Sequence, residues 1–278
     1  MRVGLFIFVL CFSSELLAQD PPPSDKLLKV WPGMIPIILT APHGGQQPIP
    51  GVSARRGVGV AQFAAGRDHN TAELAQKIAE KLEGRLGAKS FLIIALFDRK
   101  YVDANRPSAG AYESDRARPY YDSYHAAVRD ACQRVRRVWE GGLLLDIHGQ
   151  GNDGDTLYRG TNNGKTIVSL ISRFGLEAIG GPRSIFGQLE QKGYKISPSI
   201  SKSQREERYN GGYTVQTYGS HRGTGIDAIQ LEIGTNLRKL AILDRTATDF
   251  ADAIALFARE YLPLSNQADS LDMTLPQR

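Results

Sequence analysis

The sequence predicts an α/β protein with a mostly parallel or mixed central sheet and helices on both faces. Three observations carry that expectation. Four apolar runs, "MIPIILTA" (34–41), "SFLIIALFD" (90–98), "GLLLDIHG" (142–149) and "IDAIQLEIG" (226–234), are continuous rather than alternating, as strands buried on both faces are. Segments with apolar residues at helical spacing separate several of them. Strand and helix alternate, the pattern of a sheet whose connections cross over its faces.

In chain order, "MRVGLFIFVLCFSSELLAQD" reads as a secretory signal. Arg2 supplies the positive end, Val3 to Phe12 form an apolar stretch too short to span a bilayer, and Leu16-Leu17-Ala18 offers a small-residue cleavage site. The expected boundaries are a signal peptide at 1–18, a flexible proline-rich lead-in at 19–30, a single domain at 31–264 and a flexible tail at 265–278. This predicts a secreted or periplasmic protein with no stable membrane span once the signal is removed. Removal also takes Cys11 and leaves Cys132 alone, so no internal disulfide is expected.

After strand 34–41, "NTAELAQKIAEKLEGRLG" (70–87) sets Leu74, Ile78, Leu82 and Leu86 on one helical face and stops at Gly87. Strand 90–98 follows, then a long helix over 121–140. On that helix Cys132 reads as a buried small hydrophobe and His125 as a packing or surface residue. Strand 142–149 comes next. From Gly149 to Gly225 the pattern weakens into Gly, Asn and Ser, predicting loops, hairpins and short helices added to the sheet. Strand 226–234 and a helix over 246–262 close the domain.

The 278-residue chain is 41% hydrophobic and 23% charged, ordinary for a soluble globular protein, with a net charge of +5. The sequence pI of about 9.2 favours anionic partners. Its cations are scattered, however, and the densest run, "RVRR" (134–137), lies in a helical pattern as a solvated face. No nucleic-acid-binding signature is present, so no nucleic-acid partner is expected.

Ligands of open α/β sheets bind at the carboxyl ends of strands, and here those ends are polar. Strand 34–41 runs into His43 of "APHGG", strand 142–149 carries Asp146 and His148, and strand 226–234 carries Glu232. Asp146 and His148 are two apart and share a face, so the carboxylate can fix the imidazole tautomer and free its other nitrogen for a metal. Two histidines at two strand ends suit zinc, which then needs a third ligand, preferably a carboxylate. Asp68 of "GRDHNTAELA" is the candidate, with helix capping as its alternative role, and His69 with Glu73 at i, i+4 spacing is the fallback. "DANRP" (103–107) sets Arg106 beside Asn105, a planar fork suited to a carboxylate. Glu232 sits among core residues, where an idle carboxylate is costly, so it reads as a general base or as half of a structural ion pair.

"PHGG", "RD…TAELA", "DANR", "DIHG" and "QLEIG", in this order from about Ile37 to Arg259, resemble the N-formylglutamate amidohydrolase family. The resemblance implies a phosphorylase/hydrolase-like zinc carboxypeptidase architecture and a metal-dependent hydrolase of carbon–nitrogen bonds. It implies His43, Asp68 and His148 as ligands of Zn2+, Glu232 as catalytic acid/base, and Arg106 with Asn105 on a substrate carboxylate. "YNGGYTVQTYGSHRG" (209–223) resembles the hairpin before the family's catalytic strand, with Arg222 or His221 facing substrate. The expected partner is a small-molecule or peptide substrate bearing a carboxylate, such as an N-acyl amino acid. The alternatives are an exported metallocarboxypeptidase, a poly-γ-glutamate or cell-wall peptide hydrolase, or a metal-free binding protein on the same fold.

Overall fold

The computed structural model describes residues 25–199 and 205–264; the expected signal peptide and tail lie outside them. Seven strands form one mixed sheet: β1 (Leu28–Trp31), β2 (Ile37–Ala41), β3 (Phe91–Ala95), β4 (Gly142–Gln150), β5 (Thr156–Gly160), β6 (Lys195–Ser197) and β7 (Ile226–Gly234). Their spatial order is β1-β3-β2-β4-β7-β5-β6. The central four, β3, β2, β4 and β7, are mutually parallel, whereas β1 and β5 run antiparallel to their inner neighbours. Helices α1 (Thr71–Leu86), α2 (Ser108–Ala111), α3 (Arg118–Trp139), α4 (Val168–Phe174), α5 (Glu177–Gly180), α6 (Ile185–Gln191), α7 (Tyr213–Tyr218) and α8 (Leu243–Tyr261) complete the described chain. None of them is long and apolar enough to cross a membrane.

The continuous apolar runs are strands with two buried faces. Leu143, Leu145 and Ile147 of β4 join Ile229, Leu231 and Ile233 of β7 in one core beneath α1 and α8. Leu144, Ile226 and Ala228 point the other way, into a second core with Tyr124, Val128 and Val135 of α3. Asp146, His148, Gln230 and Glu232 continue this second face toward the carboxyl ends of their strands, where the apolar cover of α3 gives way to polar side chains.

Three expectations change. Residues 28–30, assigned to the flexible lead-in, join Trp31 in pairing with β3 as an edge strand; their Leu-Lys-Val-Trp sequence already has the composition of a half-covered strand. Residues 213–218 form a helix rather than part of a hairpin, because Tyr213–Tyr218 packs onto β7 instead of pairing with a neighbouring strand. In the weakly patterned stretch, β5 and β6 extend the sheet beyond β7.

Candidate functional site

The turn after β2 explains "PHGG". His43 leaves the strand end, and the chain must immediately pass between α1 and the turn after β3. A Cβ at Gly44 would overlap the backbone of Ala72, and one at Gly45 that of Leu96, so only glycine lets the backbone through. The same turn anchors Asp68. Its N–H donates to the carbonyl of His43 (3.0 Å), and its own carbonyl accepts from the hydroxyl of Thr71 (2.7 Å) at the first residue of α1. The Asp68 side chain does not cap α1. It accepts from the Gly149 N–H (3.1 Å), which pins one oxygen beside His148.

Three side chains far apart in sequence therefore meet. His43 Nδ1 and His148 Nδ1 are 3.1 Å apart, and Asp68 Oδ2 lies 3.5 Å from the first and 3.2 Å from the second. All three residues are buried. Four ligands held tetrahedrally at about 2.0–2.1 Å from zinc are separated by about 3.3–3.4 Å, so this triangle has the size of one face of such a tetrahedron. The outer nitrogens are also held: His43 Nε2 lies 2.7 Å from Asp103 Oδ1, and His148 Nε2 lies 2.8 Å from Asp146 Oδ2. In the tautomer in which each Nε2 donates to its carboxylate, both Nδ1 lone pairs and the Asp68 carboxylate point at one another. Three acceptors so arranged repel unless a proton or a cation lies among them. The donor set thus fits a divalent metal.

Protonation follows from the same contacts. Burial disfavours a charged Asp68, but the hydrogen bonds from His148 and His43 outweigh it and hold its carboxyl well below the usual range. Asp103 behaves likewise: burial opposes its ionisation, and the His43 and Arg99 charges overcome that cost. Burial works against a cationic His148, yet Asp146 first and Asp68 second raise its pKa well above the ordinary imidazole value. Glu232 is different. Burial dominates and raises its pKa, with His148 only partly offsetting it.

Glu232 reaches the site through strand register, opposite His148 between β4 and β7. Gln230 donates to its Oε1 at 2.7 Å. A cavity of about 680 Å3 joins Glu232 to the triangle, with Gln62, Arg99, Arg106, Arg208 and Tyr209 on its walls. Arg106 sits at the rim, donating to the Gln62 carbonyl (2.7 Å), with its Nε 3.7 Å from Asp103. Asn105 is buried beneath, its Oδ1 accepting from the Thr214 N–H (2.8 Å) and its Nδ2 3.1 Å from His148 Nε2. It supports the site floor as well as facing the cavity.

The structure does not bring Arg222 to this cavity. That residue is exposed in the turn before β7, its Nε donating to the Gln216 carbonyl at 3.1 Å, so it lies toward the amino end of the strand, away from the edge that carries Glu232. His221 shares that exposed turn. The fallback pair also separates from the triangle: Glu73 is exposed, and exposed His69 meets Arg67 (2.8 Å). Sequence reasoning missed Asp103 and Thr40. Thr40 donates to Asp146 Oδ1 at 2.6 Å, and Arg99 holds Asp103 Oδ2 at 2.9 Å. Asp103 stood in the quoted "DANRP", but nothing in its spacing pairs it with a histidine 60 residues away.

Residues 111–237, which include Asp146, His148 and Glu232, match the family model for N-formylglutamate amidohydrolase. No curated protein matches the sequence. Among solved structures, the N-formylglutamate amidohydrolase of Ralstonia eutropha JMP134 is similar at 18% identity and a TM-score of 0.59, over 84% of this chain and 98% of its own. A gene product of Agrobacterium tumefaciens is similar at 14% identity and a TM-score of 0.57, over 85% of this chain and 94% of its own. At such identities these likenesses establish a shared fold. Residues 111–237 thus match the N-formylglutamate amidohydrolase family model, and the chain shares the fold of these two solved structures.

Proposed function

We propose that this protein is a zinc-dependent amidohydrolase that cleaves an amide bond in an N-acyl amino acid or a related carboxylate-bearing substrate. The observation that carries the reading is the triangle of His43 Nδ1, His148 Nδ1 and Asp68 Oδ2, with edges of 3.1, 3.2 and 3.5 Å. Zinc held by these three supplies Lewis acidity toward an amide carbonyl and toward water. Glu232 takes a proton from the attacking water and returns it to the departing nitrogen, a task suited to a carboxyl whose pKa burial has raised. Asp103 and Asp146 keep both imidazoles turned inward. Arg106 and Arg99 hold a substrate carboxylate at the rim, which fixes the scissile bond relative to Glu232.

The test pairs metal analysis with a hydrolysis screen of N-formyl, N-acetyl and peptidyl glutamates. One zinc per chain, lost in His43→Ala and His148→Ala together with turnover, is the expected result. Undiminished turnover by the metal-stripped protein in chelator would overturn the reading.

A further inference from the structure

The cavity does not end at Glu232. Arg208 and Tyr209, on one of its walls, also line a second groove of about 530 Å3 that continues over Tyr158 and Ser197. Strand register explains the continuity. His148 lies opposite Glu232, Glu232 opposite Tyr158, and Tyr158 opposite Ser197, across β4, β7, β5 and β6. Directly paired residues share a face of the sheet. Their chain neighbours Ile147, Leu231, Leu157 and Ile196 all lie in the apolar core of the other face. The four side chains therefore form one transverse row. Adjacent strands lie about 4.8 Å apart, so the row runs about 14 Å from the histidine at the metal triangle. That is about four residues of extended chain.

The groove has a definite chemistry. Tyr158 and Tyr209 meet edge to face, ring centroids 5.0 Å apart, forming an aromatic step just beyond Glu232. Arg159 is neutralised by the buried Glu206, with Nε and Oε1 3.0 Å apart. Arg205 and Arg208, both exposed, make no ion pair among the described residues, although Glu207 shares their wall. Arg99 and Arg106 stand on the walls of the catalytic cavity itself, from the segment that follows β3.

We infer that this groove is a subsite for an extended, acidic, peptide-like chain, so that the substrate carries carboxylates on both sides of the bond that is cut. Arg99 and Arg106 take one acidic group; Arg205 and Arg208 take those up to four residues along the row. The inference rests on the amide-hydrolase reading above and narrows its substrate class.

The test uses the zinc-loaded protein with N-acetylated glutamate oligomers of one, two and four residues, in α- and in γ-linkage. Glutamine oligomers serve as the uncharged control. In at least one linkage, kcat/KM is expected to rise about tenfold from one residue to four, an advantage that added salt erodes and that glutamine lacks. The double variant Arg205→Gln/Arg208→Gln flattens the dependence on length, with an unchanged thermal midpoint as the check on folding. Independently of turnover, fluorescence anisotropy of a labelled glutamate tetramer on the metal-free protein should show about tenfold weaker binding in the same variant. A one-residue substrate hydrolysed as efficiently as the tetramer, with binding insensitive to both substitutions, overturns the subsite and leaves the hydrolase reading standing. Length-dependent binding without hydrolysis of any oligomer supports the groove and counts against the hydrolase. Absence of both overturns both.

Discussion

Two imidazoles present the same nitrogen inward because each has its other nitrogen claimed by a carboxylate, Asp103 for His43 and Asp146 for His148. Such outer contacts fix ring orientation and raise ligand basicity. Asp103→Asn and Asp146→Asn should therefore each weaken zinc affinity about 10- to 100-fold, read by competition with a chelating dye. Unaltered affinity in both would remove these carboxylates from the site's design. Glu232 separates from the ligands in its electrostatics, since burial first, and the Asp68 charge beside it, drive its pKa upward. Glu232→Gln keeps the side chain's shape and should lower kcat by about 10²- to 10⁴-fold while zinc content stays at that of the parent protein. Loss of the metal along with activity would instead make it a ligand.

The turn between β2 and α1 carries two of the three donors of the triangle and is held by glycine. Gly45→Ala must push a methyl into the Leu96 backbone, so it should cost about 1–3 kcal/mol of stability, measured by denaturant unfolding. Helix α3 carries a second test. His125 is buried among Tyr121, Tyr213 and Tyr218, with Nε2 3.0 Å from the Ala104 carbonyl, and burial lowers its pKa to about 4. The folded state therefore holds it neutral, and its contribution is complete above the unfolded pKa of about 6.5. As pH falls from there toward 4, the unfolded chain binds the proton more readily and stability declines, by up to about 3 kcal/mol from this group. His125→Gln should flatten that part of the stability profile. A parallel slope in the variant would assign it to other groups.

The whole domain should respond to whatever fills the triangle, since its donors join the β2–α1 connection to strand β4, far apart in sequence. A cation that binds only the folded state at 100 times its dissociation constant adds about 2.7 kcal/mol. Zinc should therefore raise the thermal midpoint and chelator reverse the gain, both effects vanishing in His43→Ala/His148→Ala. Cys132 reports the same global opening: burial raises its thiol pKa to about 12. Alkylation at pH 8 should follow the rate of unfolding, and rapid labelling of the native protein would contradict that burial.

The continuous apolar runs, the helical spacing of Leu74, Ile78 and Leu82, and the polar strand ends sufficed to read the central sheet and to nominate His43, His148, Asp146 and Glu232. These features are periodic or local, so one dimension records them. Asp68 could be nominated but not separated from a helix cap, because what distinguishes the two roles is an N–H from Gly149, 81 residues away. Asp103, the edge strand β1, the helical form of residues 213–218 and the row from His148 to Ser197 all depend on which strands become neighbours. Neighbour choice is set by the packing of two cores at once, and the spacing of residues along a chain does not encode it.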